Sequence, residues 1–120
     1  MTMKLCFLTG AFALLASAAL AGPYDGIWLR PGSGAHIEAS DCGGGMGLKV
    51  VKSSDAKSVG MTIICGAKPA GPNSWSGIGL KTDDGSKFKG TWTLQGDSLK
   101  LRGCLTMGFP CQSETWTRIR

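Results

Sequence analysis

Apolar and polar residues alternate along Lys87-Phe88-Lys89-Gly90-Thr91-Trp92-Thr93-Leu94, with Phe88, Trp92 and Leu94 on one face and Lys87, Lys89, Thr91 and Thr93 on the other. A period of two is the signature of a half-buried strand. The same period runs through Ser98-Leu99-Lys100-Leu101-Arg102. Between the two, Gln95-Gly96-Asp97 has the composition of a tight hairpin turn, and Asp84-Gly85 supplies another upstream. Further strands are predicted over Tyr24 to Arg30, Ala35 to Ala39, Gly47 to Lys52, Met61 to Cys65, Ser74 to Thr82 and Ser113 to Ile119. Pro69, Pro72 and Pro110 fall in the gaps, where a missing backbone donor does no harm. About eight short strands with no amphipathic helix between them predict an all-β fold, a small antiparallel up-and-down barrel or a sandwich. Closure is preferred, because no helix is available to cover an exposed strand edge. The 19 glycines fit the bending and bulges of a small barrel.

The first 21 residues follow a different pattern. Lys4 gives a short positive start, Leu5 to Leu20 is an uncharged run of 16 residues, and Ala19-Leu20-Ala21 supplies a small-x-small end. That order is the pattern of a cleaved signal peptide, cut between Ala21 and Gly22. A bilayer span needs about 20 apolar residues, so a retained membrane span is not expected. The expectation is a mature chain of 99 residues, 22–120, forming a single domain in the periplasm or outside the cell, its net charge lowered from +5 to +4. A domain of that size buries only about 60–70% of its unfolded surface, so its core is modest.

Four cysteines remain after cleavage, Cys42, Cys65, Cys104 and Cys111, and an even number in a short exported chain reads as two disulfides with three possible connectivities. Zinc sites favour closely spaced cysteine pairs. The gaps here are 22, 38 and 6 residues, and no metal site is expected.

Asp25-Gly26-Ile27-Trp28 opens the mature chain, Trp75-Ser76-Gly77 sits in its middle, and Asp84-Gly85-Ser86-Lys87-Phe88 and Leu99-Lys100-Leu101-Arg102-Gly103-Cys104 follow. The chain closes with Cys111-Gln112-Ser113-Glu114-Thr115-Trp116-Thr117-Arg118. In this order the set resembles the bacterial family called domain of unknown function 2147, over nearly all of residues 24–120. The resemblance implies a small exported protein with a β-barrel-like fold and no established activity. The family pattern often carries a further cysteine soon after the position of Cys42, where this chain has Met46-Gly47. Gly26-Ile27-Trp28 with Arg118 is also similar to the lipocalin-like (calycin) pattern, in which an arginine of the last strand packs on an early tryptophan. A guanidinium over an indole gains roughly 0.5–2 kcal/mol and would tie the last strand to the first, so Trp28 and Arg118 are the candidate barrel clamp.

Hairpin geometry selects among the disulfide connectivities. Cys104 and Cys111 lie at the ends of two consecutive strands, where an antiparallel pair sets residues opposite one another with α-carbons about 4.5 Å apart. Cys42 then pairs with Cys65 by elimination, and both bridges staple the barrel.

Catalytic chemistry is thinly supplied. His36 is the single histidine, placed on a strand, and no Gly-x-Ser-x-Gly nucleophile motif occurs. Asp83-Asp84 precedes a turn glycine and reads as turn chemistry. Cys42-Gly43-Gly44-Gly45-Met46-Gly47 lacks the Lys-Ser/Thr of a phosphate loop and reads as a flexible hairpin or bulged loop. The lysines are spread along the chain, which disfavours nucleic acid, although Lys87 and Lys89 with Lys100 and Arg102 form a local basic stripe. No enzymatic activity and no cofactor are expected.

Two functions remain. One is a monomeric binding module for a small apolar ligand or a protein partner, a protease inhibitor included. The other is an envelope-associated structural or stress protein that meets anionic lipid or polysaccharide through its lysines. Leu105-Thr106-Met107-Gly108-Phe109-Pro110 is the candidate contact loop, with four apolar residues of six and no charge. Either it folds inward and caps the barrel with Leu105 and Phe109, or it stays outside as an apolar finger.

Overall fold

Alternation, turn glycines and proline-marked gaps resolve into eight strands in a computed structural model that describes residues 22–120. The strands are β1 (Gly26–Leu29), β2 (His36–Cys42), β3 (Gly45–Lys52), β4 (Thr62–Pro69), β5 (Ser74–Leu80), β6 (Lys87–Gln95), β7 (Ser98–Leu105) and β8 (Cys111–Arg118). Each pairs antiparallel with the next, and β8 returns to β1 to close an up-and-down barrel. Among the described residues the one helical element is a short 3-10 turn, Ala56–Ser58, capped by the Asp55 side chain. The signal peptide and the Ala21 side of its cleavage site lie outside the described residues.

Closure depends on a glycine. Trp28 lies opposite Arg118 and Leu29 opposite Thr117. Beyond them the Ile27 N–H donates to the Arg120 carbonyl at 2.9 Å, and the Ile119 N–H to the Ile27 carbonyl at 2.8 Å. Gly26, at φ +138°, lies so close that a Cβ on it would come within 2.3 Å of the Arg120 oxygen. A side chain there would force the two strands apart.

The two ends of the barrel differ. At one end the connections are the tight turns 43–44, 70–73 and 96–97; at the other they are the longer segments 30–35, 53–61, 81–86 and 106–110. Gly43 and Gly44 at φ +62° and +87° make the Gly-rich stretch a two-residue hairpin turn. Three tryptophans, Trp28, Trp92 and Trp116, are fully buried and pack with Ile37, Met46, Leu48, Val50 and Leu99. Trp75 packs from the side against the Tyr24 ring, edge to face at 5.0 Å.

Both disulfides follow the expected pairing. Cys104 lies opposite Cys111, with α-carbons 4.0 Å apart. Cys42 and Cys65 join β2 to β4 across the start of β3, with α-carbons 5.2 Å apart. Gly47 clears the space beneath, since a Cβ there would sit 2.4 Å from that of Cys42.

Strand ends shift from expectation. β7 runs on to Leu105 and β8 starts at Cys111, because the hairpin ladder continues through the disulfide. Glycine also has a use beyond bending. Gly79, Gly90 and Gly103, on β5, β6 and β7, all border the Phe88 ring, and a Cβ on any of them would come within 2.8–3.0 Å of it.

Candidate functional site

At the long-loop end the barrel opens into a cup of about 480 Å³. Inward-facing residues of five strands supply its apolar wall: Ile37, Val50, Ile63, Phe88 and Leu101, with Trp116 as part of the floor. The other half of the interior is filled by the remaining buried tryptophans, so the barrel is packed at one end and hollow at the other. An eight-stranded barrel has room for either arrangement.

Arg30 crosses the mouth of this cup. It follows the end of β1 and shares the inward parity of Gly26 and Trp28. Its Nε donates to Glu114 Oε1 at 2.8 Å and its Nη2 to Oε2 at 2.9 Å, a two-pronged contact with β8. Its Nη1 donates to the Thr82 hydroxyl at 3.1 Å. Thr82 lies just past β5, half-way round the ring from β1, so one guanidinium joins opposite sides of the opening. Trp116 Nε1 donates to Glu114 Oε1 at 2.8 Å and anchors the carboxylate from below.

The electrostatics follow from those bonds. Burial on its own pushes the Glu114 carboxyl up, but the hydrogen bonds from Arg30 and Trp116 and the adjacent guanidinium charge prevail and hold it below its ordinary value. The hydrogen bond to Glu114 raises Arg30 further, against the effect of burial. A two-pronged arginine–carboxylate contact is among the stronger side-chain interactions and fixes geometry as well as charge.

The sequence offered a signal for this pair. Charged residues stand on the same parity as buried tryptophans, Arg30 two after Trp28 and Glu114 two before Trp116. What no pattern supplies is that positions 84 residues apart meet.

Arg118 lies with its guanidinium carbon 4.5 Å from the centre of the Trp28 ring. Its Nη2 donates to the Pro23 carbonyl at 3.0 Å and its Nη1 to that of Asp25, so it also holds the segment leading into β1. Its Nε reaches Asp97 at 3.1 Å. This cluster belongs to the packed end, away from the cup.

The 106–110 connection does not cap the barrel with Phe109. Met107 and Phe109 are 72% and 68% exposed, whereas Leu105 is half-buried and lines the cup. The disulfide and the Leu105 N–H to Pro110 carbonyl bond, 3.2 Å, carry the hairpin past the barrel rim, so its tip points outward. Lys87, Lys89, Lys100 and Arg102 are all exposed on β6 and β7, on the outer faces of these strands. His36 sits at the start of β2, opposite Leu29 and Lys52. Among the described residues no group of three or more histidine, cysteine or acidic side chains is arranged to hold a metal ion. Nor is any described helix long and apolar enough to cross a membrane.

The family model described as an uncharacterized protein conserved in bacteria (DUF2147) matches residues 26–118, which takes in all eight strands. No curated protein and no solved structure matches the chain.

Proposed function

This chain belongs to the DUF2147 family of uncharacterised bacterial proteins, and we propose that it is a non-catalytic binding module that holds a small, largely apolar ligand in the open half of its barrel. The cup carries the reading. Its volume, about 480 Å³, falls within the roughly 300–1,000 Å³ of small-molecule pockets, which combine apolar walls with a few placed polar groups. Here the walls come from rigid strands and the polar groups are Arg30, Thr82 and Glu114. The signal-like segment 1–21 supports export to the periplasm or beyond, where both disulfides form and persist.

Native mass spectrometry of protein recovered from the periplasm of an expressing bacterium tests this. A co-purifying small mass, released by denaturation and lost in a variant with the cup filled, Leu101→Trp, is the expected result. Protein free of any adduct, with no binding heat and no change in tryptophan emission across a panel of apolar probes, overturns it.

The basic outer face of β6 and β7 favours a second reading, attachment to anionic lipid or polysaccharide of the envelope. Exposed lysines and arginine on neighbouring strands are screened over about 10 Å at 0.1 M salt. Binding to anionic vesicles that disappears with added salt, and that the cup-filling variant retains, selects this second function over the first.

A further inference from the structure

We infer that the ligand of the cup is electrically neutral, an apolar body bearing a hydroxyl, amide or similar hydrogen-bonding group, and not a fatty-acid-like anion or an amine. The inference rests on the cup reading above and names the chemistry it selects. The charged residues lining the cup are two cations, Arg30 and Lys81, and three carboxylates, Asp55, Asp83 and Glu114. Of the two cations only Arg30 reaches the apolar wall as a tightly paired group, whereas Lys81 stands in solvent at the edge, 38% exposed and beyond hydrogen-bond distance of its nearest carboxylate. Arg30 spends three N–H groups on Glu114 and Thr82, and Lys81 Nζ lies 3.9 Å from Asp83.

A ligand carboxylate entering this mouth would meet a guanidinium already neutralised, with the Glu114 charge beside it. Placing two carboxylates around one cation in a partly desolvated site costs binding, because like charges at short range disfavour each other's ionisation. An ammonium at the same depth fares little better, since Asp55, the lining carboxylate with no cation beside it among the described residues, is exposed on the 53–61 connection. Glu114, the carboxylate nearest the apolar floor, already accepts from Arg30 twice and from Trp116 once. A neutral oxygen meets no such conflict. A guanidinium has five N–H groups, so Arg30 keeps two to donate, and Ser33, Ser54 and Gln112 add uncharged polar groups among the charged ones of the rim. The ion pair therefore acts as a charge filter across the opening.

Three probes of equal chain length separate the cases: octan-1-ol, octanoate and octylammonium, titrated into the disulfide-bonded protein at pH 7.5 and followed by calorimetry, with tryptophan emission as a second readout. The expected result is saturable binding of the alcohol, at least tenfold tighter than either ion. In Glu114→Gln, which leaves the Arg30 charge uncompensated, octanoate is expected to gain at least tenfold relative to the alcohol. If an ion binds the wild-type protein as well as the alcohol does, the neutral-ligand inference falls and the cup reading stands. If the alcohol is preferred but Glu114→Gln folds and leaves that preference unchanged, the charge-filter account falls. If none of the three binds, the cup reading falls and takes this inference with it.

Discussion

Replacing Arg30 by methionine keeps most of the aliphatic stem and removes the charge that spans the mouth. Glu114 is then left against an apolar floor with only Trp116 Nε1 to support it. Breaking a fully buried pair from one side costs about 3–5 kcal/mol. Here the two side chains remain 28% and 24% exposed, so solvent screens part of the loss and about 2 kcal/mol is the appropriate magnitude. For a domain of this size that corresponds to a melting temperature lower by about 10 °C. The pH dependence identifies the cause. With Arg30 present, Glu114 lies below its ordinary value, so it contributes stability that is present above its unfolded pKa, about 4.3, and is lost as the pH falls through the folded value. Without Arg30, burial governs and the carboxyl resists ionisation, so Arg30→Met regains ground relative to wild type on acidification. Urea unfolding at pH 7 and at pH 3.5 should show the gap narrowing. The double variant Arg30→Met/Glu114→Leu should recover part of that loss at pH 7 but stay below wild type, because the buried Trp116 Nε1 loses its acceptor. A gap below about 0.5 kcal/mol at pH 7, or one independent of pH, refutes the reasoning.

Arg118→Met should lose about 1–2 kcal/mol by removing the stacking on Trp28 and the carbonyl contacts at Pro23 and Asp25; an unchanged thermal melt would remove the clamp from the account. The Asp97 partner is 81% exposed, so Asp97→Ala alone should change little. Chain-entropy arguments assign roughly 2.5 kcal/mol to the Cys104–Cys111 bridge and roughly 3.5 to Cys42–Cys65. Urea unfolding of the two paired serine variants should rank them in that order, and peptide mapping that linked Cys65 to Cys104 would contradict both assignments. Met107→Ser/Phe109→Ser should melt within about 0.5 kcal/mol of wild type, since both side chains are already in water. A loss of about 2–4 kcal/mol, the scale of a core truncation, would mean the loop packs inward in solution.

Local pattern made much of the barrel legible. Phe88 and Trp92 face inward as their alternation requires, and the turns at Gly85 and Gly96 adopt positive φ. A hairpin rule was enough for Cys104 and Cys111, because their partnership is set by the two strands that carry them. The cup was harder to read. Its size depends on how three tryptophans divide the interior, and spacing along one strand says nothing about filling across eight. The polar bar was harder still. Arg30 reads as a strand end and Glu114 as one carboxylate among several, and their meeting is a product of ring closure. Inward glycines were likewise indistinguishable from those that bend the chain, since both kinds fall within strands.

The Phe88 ring rests in space cleared by backbone, and that gives the barrel an unusual capacity for change. Glycines have no rotamers with which to refill a gap, so shortening the residue at position 88 would deepen the cup toward Trp92, whose ring centre lies 6.0 Å away, with little collapse to offset the gain. A methyl group at Gly103 would act in the opposite sense by crowding the Phe88 ring, whereas at Gly79 and Gly90 it would first meet the Ile63 carbonyl and the Trp92 ring. The depth of the vessel is thus set at Phe88 and the glycines around it, a layer separate from the rim and the disulfides. If the cup binds as proposed, the length of molecule it holds is set by this one layer, independently of the charged groups at the mouth.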